Sequence, residues 1–491
     1  MPRSTSITTT MGNEKQDIPA GAELGPARVA LRVSVVFLAT YLVTWGGHYT
    51  SGDGAHKVAW AKSMLHLPGG GESMYGVGHS LLAIPPILVS TLLRNKFGIH
   101  SEAALYTLIF VLNGALLMGL IAYYLSQFYP SKRVWMTVAV IGLATTWWPY
   151  TKLDFSEPLV LTLLFAGFVT MRFGRPVLGS FVASFAITLR EDAALLVGLL
   201  LIWHVFASQE FPIAKNEEGI RSDRRPLTGI VNAALQRTRI VFSSASELFN
   251  NLKLVLATVP ALAIVMSANW ARYGSVFDRG YSKQTFSNPF LVGIYGILFS
   301  AGKSVFLFSP PLILGVICWN RFRRLVSGDA WFFLGVFVIQ AVEFAKWWDW
   351  SSDDAWGVRF MVAAVILMCI PLVEARRLSS VLLVAAVGVG IQLLPVLVGG
   401  LDYLMLVRQE QSHRRALYVD GVNRVDFEDV RFNPQYGQIN GSWLMLRSML
   451  GIPPRRSDTA ETGTSLYDAF APEAWRKSQW DFIWVRRKNG Q

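Results

Sequence analysis

The chain has 491 residues, 52% hydrophobic and 16% charged, with a formal net charge of +12. A soluble domain averages about 25% charged residues, so the composition indicates a polytopic membrane protein. The basic excess fits arginines gathered on cytoplasmic loops and argues against nucleic acid as a partner.

Residues 1–28 read as a disordered, Thr/Ser/Gly-rich cytoplasmic N-terminus with no cleavable signal. Apolar runs of roughly 17 or more residues are candidates to span a bilayer. They fall near 29–47, 103–125, 134–150, 157–172, 176–190, 192–207, 251–270, 304–319, 330–346, 359–373 and 379–399. The predicted fold is therefore all-α and polytopic, with about 11 transmembrane helices in a module over 29–399. A long first extracytoplasmic loop covers 48–102, a cytoplasmic loop 208–250, and a small extracytoplasmic tail 400–491. The two cysteines, Cys318 and Cys369, sit inside apolar runs, which argues against a disulfide framework and against zinc.

The run from His79 to Leu93, with Pro85-Pro86 inside it, decides the topology. If it lies along the interface or re-enters, one face collects Arg28/Arg32, Lys132/Arg133, Arg172/Arg175, the 208–250 loop, Arg321/Arg323/Arg324 and Arg376/Arg377. That is a consistent cytoplasmic face. If the run spans, these residues scatter over both sides. The first reading places the protein in the plasma (inner) membrane, with three acid-and-aromatic loops outside.

The first of these is Ser51-Gly52-Asp53-Gly54, where glycine lets the backbone turn sharply. A short amphipathic helix is expected after it, over Ala55–Leu65. Asp53 suits a general base or a metal ligand at the membrane boundary; it also suits an ordinary turn. The second loop runs from Trp147 to Glu157 and holds Tyr150, Lys152, Asp154 and Glu157. Glu157-Pro158 is also a good helix start, and Lys152 is placed to pair with either acid. The third loop holds Trp347, Trp348, Asp349, Asp353 and Asp354, followed by Arg359, whose guanidinium is a fork for a phosphate oxygen. Tryptophans 147, 148, 347 and 348 also fit an interfacial belt. Lys303, in the Gly-broken segment Gly293–Pro311, would attract an anionic head group, and Gly302-Lys303-Ser304 lacks the spacing of a P-loop.

These residues, taken in order, resemble the GT-C superfamily of membrane glycosyltransferases that use polyprenyl-phosphate sugars. That group includes protein O-mannosyltransferases and the aminoarabinose transferase of lipid A. The resemblance rests on Ser-Gly-Asp-Gly after the first span, Tyr75-Gly76-Val77-Gly78-His79-Ser80, Trp148-Pro149-Tyr150, Ser156-Glu157-Pro158, Leu189-Arg190, Gly293–Pro311, Trp356–Phe360 and, more loosely, Asn433-Pro434. It implies an inverting transfer from a polyprenyl-phosphate sugar to a hydroxyl of a lipid, glycan or protein at the outer surface. Under it Asp53 is the essential acid, and Asp154 or Glu157 is a second. Lys303 and Arg359 would hold the donor phosphate, with Tyr75, His79, Tyr150 and Asp354 as further site residues. Many members carry two adjacent acids in the first loop, whereas Asp53 stands alone between glycines. No cofactor is implied beyond a divalent cation, and the lone acid puts that cation in question.

Two other classes compete. A transporter or lipid flippase would show charges at mid-span or a repeat of two halves; neither is evident, Glu343 being the nearest case. A non-enzymatic assembly subunit would use its tail to bind a partner, and the alternation over Tyr418–Met445 and Trp480–Val485 suggests short strands there.

Overall fold

The computed structural model describes residues 25–206, 245–278, 280–281, 284–352, 355–408, 427–452 and 480–485. The N-terminal segment before Gly25, most of the 208–250 loop, Asp353, Asp354 and Tyr418 lie outside the described residues. Among the described residues the structure is helical and carries no strand.

Helix α1 (Pro26–Val43) is followed by α2 (Gly52–Met64), α3 (Val77–Phe97), α4 (Glu102–Leu125) and α5 (Ser131–Ala144). Next come α6 (Glu157–Arg172), α7 (Pro176–Leu189), α8 (Ala193–Phe206), α9 (Ala245–Leu256), α10 (Val259–Tyr273) and α11 (Phe290–Phe299). The last elements are α12 (Pro311–Leu325), α13 (Ser327–Lys346), α14 (Val362–Cys369), α15 (Leu378–Val398), α16 (Phe427–Phe432) and α17 (Gln438–Met449). Proline in the first turn sets the start of α6, α7, α10 and α12, where its missing N–H has no helical partner to lose. Six helical stretches are long and apolar enough to cross a membrane, and three shorter apolar helices accompany them. The protein is a multi-pass membrane protein.

Two expected spans have different ends. The run 134–150 stops at Ala144, because Thr145 turns extended and its hydroxyl binds the Ile141 carbonyl (2.6 Å), then accepts the Trp147 N–H at 3.2 Å. Threonine competing with the helix backbone in this way ends it. The run 304–319 is broken: a single helical turn over Val305–Phe308 ends at Ser309, and the long helix starts only at Pro311 in the Ser-Pro-Pro sequence. Trp147 and Trp148 are core residues, not an interfacial belt. Both are buried, and their indole N–H groups point at Gly114 O and Thr44 Oγ1. Trp348 is half exposed.

α1 and α4 pack antiparallel: the Trp45 indole, just past α1, donates to Thr107 in the first turns of α4 (3.1 Å), and Gly119 further along α4 faces Ser34. That pairing fixes where α3 lies. The His79 imidazole, at the start of α3, stacks on Phe110 and meets the Tyr106 hydroxyl at 3.3 Å, so this end sits beside the start of α4. The other end, Phe97, is joined to Glu102 through residues 98–101. A helix of this length is about 30 Å long, whereas five residue steps reach at most about 18 Å. α3 therefore cannot descend along α4 and return. Its length and composition would allow a crossing, but its two ends lie at the same end of the bundle. It buries His79, Ser80, Ala83, Ile87 and Ser90, and exposes Leu81, Leu82, Leu88, Val89 and Leu92.

In the described tail the strands expected from alternation are absent: 427–432 and 438–449 are helical, and 480–485 is neither helix nor strand. In α17 the buried positions Gly441, Ser442, Leu444, Met445 and Leu446 follow a helical period. With Tyr403 and Val430 these apolar side chains join the main core, so this part of the tail packs onto the bundle.

Candidate active site

Asp53 is in the first turn of α2, whose N-cap Ser51 accepts the Gly54 N–H at 3.1 Å. The sequence Gly-Asp-Gly is thus a helix start rather than a free turn. One Asp53 oxygen accepts the Tyr75 hydroxyl, and the other accepts Arg359 Nη1 at 2.9 Å. Burial pushes the Asp53 carboxyl up, but Arg359, Lys57 and Tyr75 together outweigh it and hold the group below its usual value. The same contact, with burial, pushes the Tyr75 phenol up.

Asp154 comes from the turn before α6 and lies against the N-terminus of α2. Its Oδ1 accepts from Thr50 (2.7 Å) and Ser51 (2.6 Å). A Cβ at residue 54 would stand 1.7 Å from Asp154 Oδ2, so only glycine lets the two segments come this close. Burial pushes the Asp154 carboxyl up, against the pull of Ser51, Lys57 and Thr50. Glu157 opens α6 and pairs with Arg190, while the Arg359 Nε lies 3.7 Å from the same oxygen. Arg190, at the end of α7, also forks Asp192 with contacts of 2.7–3.2 Å and lies over the Phe360 and Phe344 rings. Arg359 lies over Phe155 and Phe360.

Of the residues expected from sequence, Asp53, Asp154, Glu157, Arg359 and Tyr75 come together here. The others stand apart or behind them. Lys303 is buried, with Nζ on the carbonyls of Ser352, Ala355 and Gly357 (2.9–3.2 Å); it shapes the turn that presents Arg359. Tyr150 is buried and donates to the Trp356 carbonyl at 2.9 Å, bracing the same turn. His79 lies beneath α2, where its neighbour Ser80 donates to the Lys57 carbonyl. Lys152 pairs with neither Asp154 nor Glu157; its partner is Asp481 of the tail, at 2.9 Å.

Four residues belong to the site that sequence reasoning did not select. Lys57 is one turn beyond Asp53 and fully buried; its ammonium donates to the Asp154 carbonyl (3.1 Å) and lies over the Tyr75 ring. Burial pulls it below its usual value, against the attraction of Asp53, Asp154 and Glu157. Spacing four residues from an acid on an amphipathic helix was the available signal. Arg190 and Asp192 form the far wall. Arg272 donates to the carbonyls of Ser73 and Tyr75 (both 2.9 Å) and stacks over Trp60, fixing the segment that carries Tyr75. A small, partly open cleft lies beside the cluster, lined by Glu157, Arg190, Asp192, Gln340, Glu343 and Phe360 among others.

Three buried polar atoms here have no hydrogen-bond partner: Asp154 Oδ2, Glu157 Oε2 and Arg359 Nε. Lys57 has one acceptor for three N–H donors. A divalent cation fits this donor set poorly. Among the described residues no group of three or more His, Cys, Asp or Glu converges to hold one. The acids present are already neutralised by Lys57, Arg359 and Arg190.

No family model and no curated protein matches the chain. Among solved structures it is similar to the crystal structure of ArnT from Cupriavidus metallidurans bound to undecaprenyl phosphate. The identity is 13%, over 84% of this chain and 73% of that one, with a TM-score of 0.47.

Proposed function

We propose that the protein is an inverting glycosyltransferase that moves a sugar from a polyprenyl-phosphate donor to a hydroxyl acceptor at the extracytoplasmic membrane surface. The observation that carries this reading is the cluster itself. Three carboxylates and three cations meet where α2, α6 and α7 converge, at one end of a helical bundle, with polar atoms left for a ligand to satisfy. An unsatisfied buried polar atom costs about 1–3 kcal/mol, so a ligand bearing both phosphate and hydroxyl groups gains by filling these positions.

Arg359 and Lys57 supply the cations for the donor phosphate. In the ligand-free arrangement Arg359 is held by Asp53. A phosphate that draws Arg359 away removes the strongest force keeping Asp53 weakly basic, so the proton affinity of the carboxylate rises as the donor seats. The acceptor oxygen then attacks the anomeric carbon, and its proton passes to Asp53. The carbon–oxygen bond to phosphate breaks, with the electron pair leaving on a phosphate stabilised by the cations. Tyr75 keeps the other Asp53 oxygen oriented. One displacement inverts the anomeric centre.

The test is transfer in membranes from cells expressing the wild type or Asp53→Asn, supplied with radiolabelled polyprenyl-phosphate sugars, counting label in lipid, glycan and protein fractions. Label that depends on Asp53 supports the reading; no label above background across the panel, with both proteins at equal levels, overturns it. Chelation of divalent ions is expected to leave transfer unchanged, because the chain's own cations neutralise the acids.

A further inference from the structure

The described end of the tail runs over the mouth of the bundle as a strap. The Asp481 N–H donates to Leu397 O (3.0 Å), the Ile483 N–H to Trp45 O (2.8 Å) and the Trp484 indole to Leu42 O (3.2 Å). These contacts tie the strap to the ends of α15 and α1. Gly46 and Gly47 make room for it: a Cβ at residue 46 would stand 2.7 Å from Asp481 Oδ1, and one at residue 47 would stand 2.5 Å from Ile483.

The Asp481 carboxylate is buried and bridges a histidine and a lysine. Its Oδ1 meets His48 Nε2 at 2.7 Å, and its Oδ2 meets Lys152 Nζ at 2.9 Å. The Lys152 ammonium also donates to the backbone carbonyls of Asp481 (2.6 Å) and Val396 (2.7 Å), over the Phe482 ring. Burial pushes the Asp481 carboxyl up, but Lys152 and His48 outweigh it and hold it well below the usual carboxylate range. It is therefore ionised throughout the physiological range.

His48 and Lys152 are the roots of the two acid-bearing segments. His48 leads through Thr50 and Ser51, whose hydroxyls hold Asp154, into Asp53. Lys152 stands two residues before Asp154. We infer that Asp481 is a positioning residue: it clamps the first loop to the segment before α6, setting the separation of Asp53 and Asp154. This role rests on the proposed transfer reaction, but the clamp itself is measurable without it.

The experiment uses the full-length protein in detergent. Asp481→Asn leaves the shape but removes the charge that joins His48 to Lys152. Amide exchange over residues 48–54 and 150–155 is expected to quicken about 10-fold, an opening cost lowered by about 1.4 kcal/mol, with α4 and α6 unchanged. Turnover is expected to fall about 10-fold with donor KM within about 2-fold, since about 1 Å of misplacement can cost up to ~100-fold. Asp481→Glu, which keeps the charge, should restore part of the turnover. Unchanged exchange in both segments overturns the clamp, whether or not a donor has been found. Quickened exchange with full turnover overturns the positioning role. Should Asp481→Asn fail to accumulate, His48→Gln removes one arm without stranding Lys152. Faster exchange confined to residues 48–54 then supports the clamp, and unchanged exchange overturns it.

Discussion

Asp53 and Lys57 show how a charge is read differently with and without its surroundings. Asp53→Asn keeps the hydrogen-bonding shape beside Tyr75 and Arg359 but cannot take a proton. Transfer should fall by ~10²–10⁴-fold, the usual worth of a general base, with expression unchanged. Turnover like the wild type would remove Asp53 from the reaction. The sequence marked Asp53 as a candidate base but left an ordinary turn equally open, since Gly-Asp-Gly suits both. Lys57 carried only its four-residue spacing from Asp53 as a signal: on a short helix with Val58, Ala61 and Leu65 along one face, a lysine looks like part of the solvated side. Its burial comes from long-range packing, with the ammonium against the Asp154 carbonyl and the Tyr75 ring. Lys57→Met should weaken donor binding about 10-fold, in keeping with a charge-assisted hydrogen bond of ~1.5 kcal/mol. The variant also has a pH signature. Lys57 helps hold the Asp53 carboxyl below its usual value, so its loss raises that value. The acid limb of the rate profile should then move to higher pH. A limb that stays in place, or moves to lower pH, would show that Lys57 does not act on the base.

Hydropathy located most of the long helices to within a few residues, because a continuous apolar run leaves the backbone no partner but itself. It misjudged the places where side chains or proline override that rule. Thr145 ends α5 with its hydroxyl, and Ser309-Pro310-Pro311 delays α12 until the second proline. The tail looked alternating because its polar and apolar residues mix, yet α17 buries a stripe that only a helical period brings to one side. The partners that matter for Lys152 and Arg272 were beyond reach, since Asp481 and the carbonyls of Ser73 and Tyr75 lie hundreds of residues away in the chain. Arg190 has Asp192 two residues on, but its pairing with Glu157 spans thirty-three. α3 is the element whose treatment controls the rest. With both ends at one level and a row of exposed leucines, it should lie along the interface with its apolar face toward lipid. Nitroxides at Leu82→Cys and Leu92→Cys, both exposed, should report depths within about 5 Å of each other. A crossing helix would separate them by about 15 Å, at 1.5 Å per residue.

An interfacial α3 leaves the number of bilayer crossings before the site odd, and the consequence runs through the whole molecule. The ends that converge on the cluster are the C-terminal end of α7 and the N-terminal ends of α2, α6 and the segment from Arg359. Tyr124, Arg172 and Asp329 meet at the opposite ends of α4, α6 and α13, in a network with contacts of 2.9 and 3.1 Å. Beside that far end stand Lys132, Arg133 and Arg175, the residues a positive-inside bias would leave in the cytoplasm. Sidedness and site are thus one question, because a polyprenyl-phosphate sugar presents its anomeric carbon only at the headgroup level of its own leaflet. Single cysteines answer it cleanly, since native Cys318 and Cys369 are both buried. Exposed Glu72→Cys and His100→Cys, one on each side of α3, should both react with an impermeant thiol reagent on intact cells. Exposed Arg175→Cys should react only after permeabilisation. Glu72→Cys outside with His100→Cys inside would mean that α3 crosses and that every later loop changes side. Both inside, with Arg175→Cys outside, would turn the molecule over and place the Asp53 cluster in the cytoplasm, where an extracytoplasmic acceptor could not reach it.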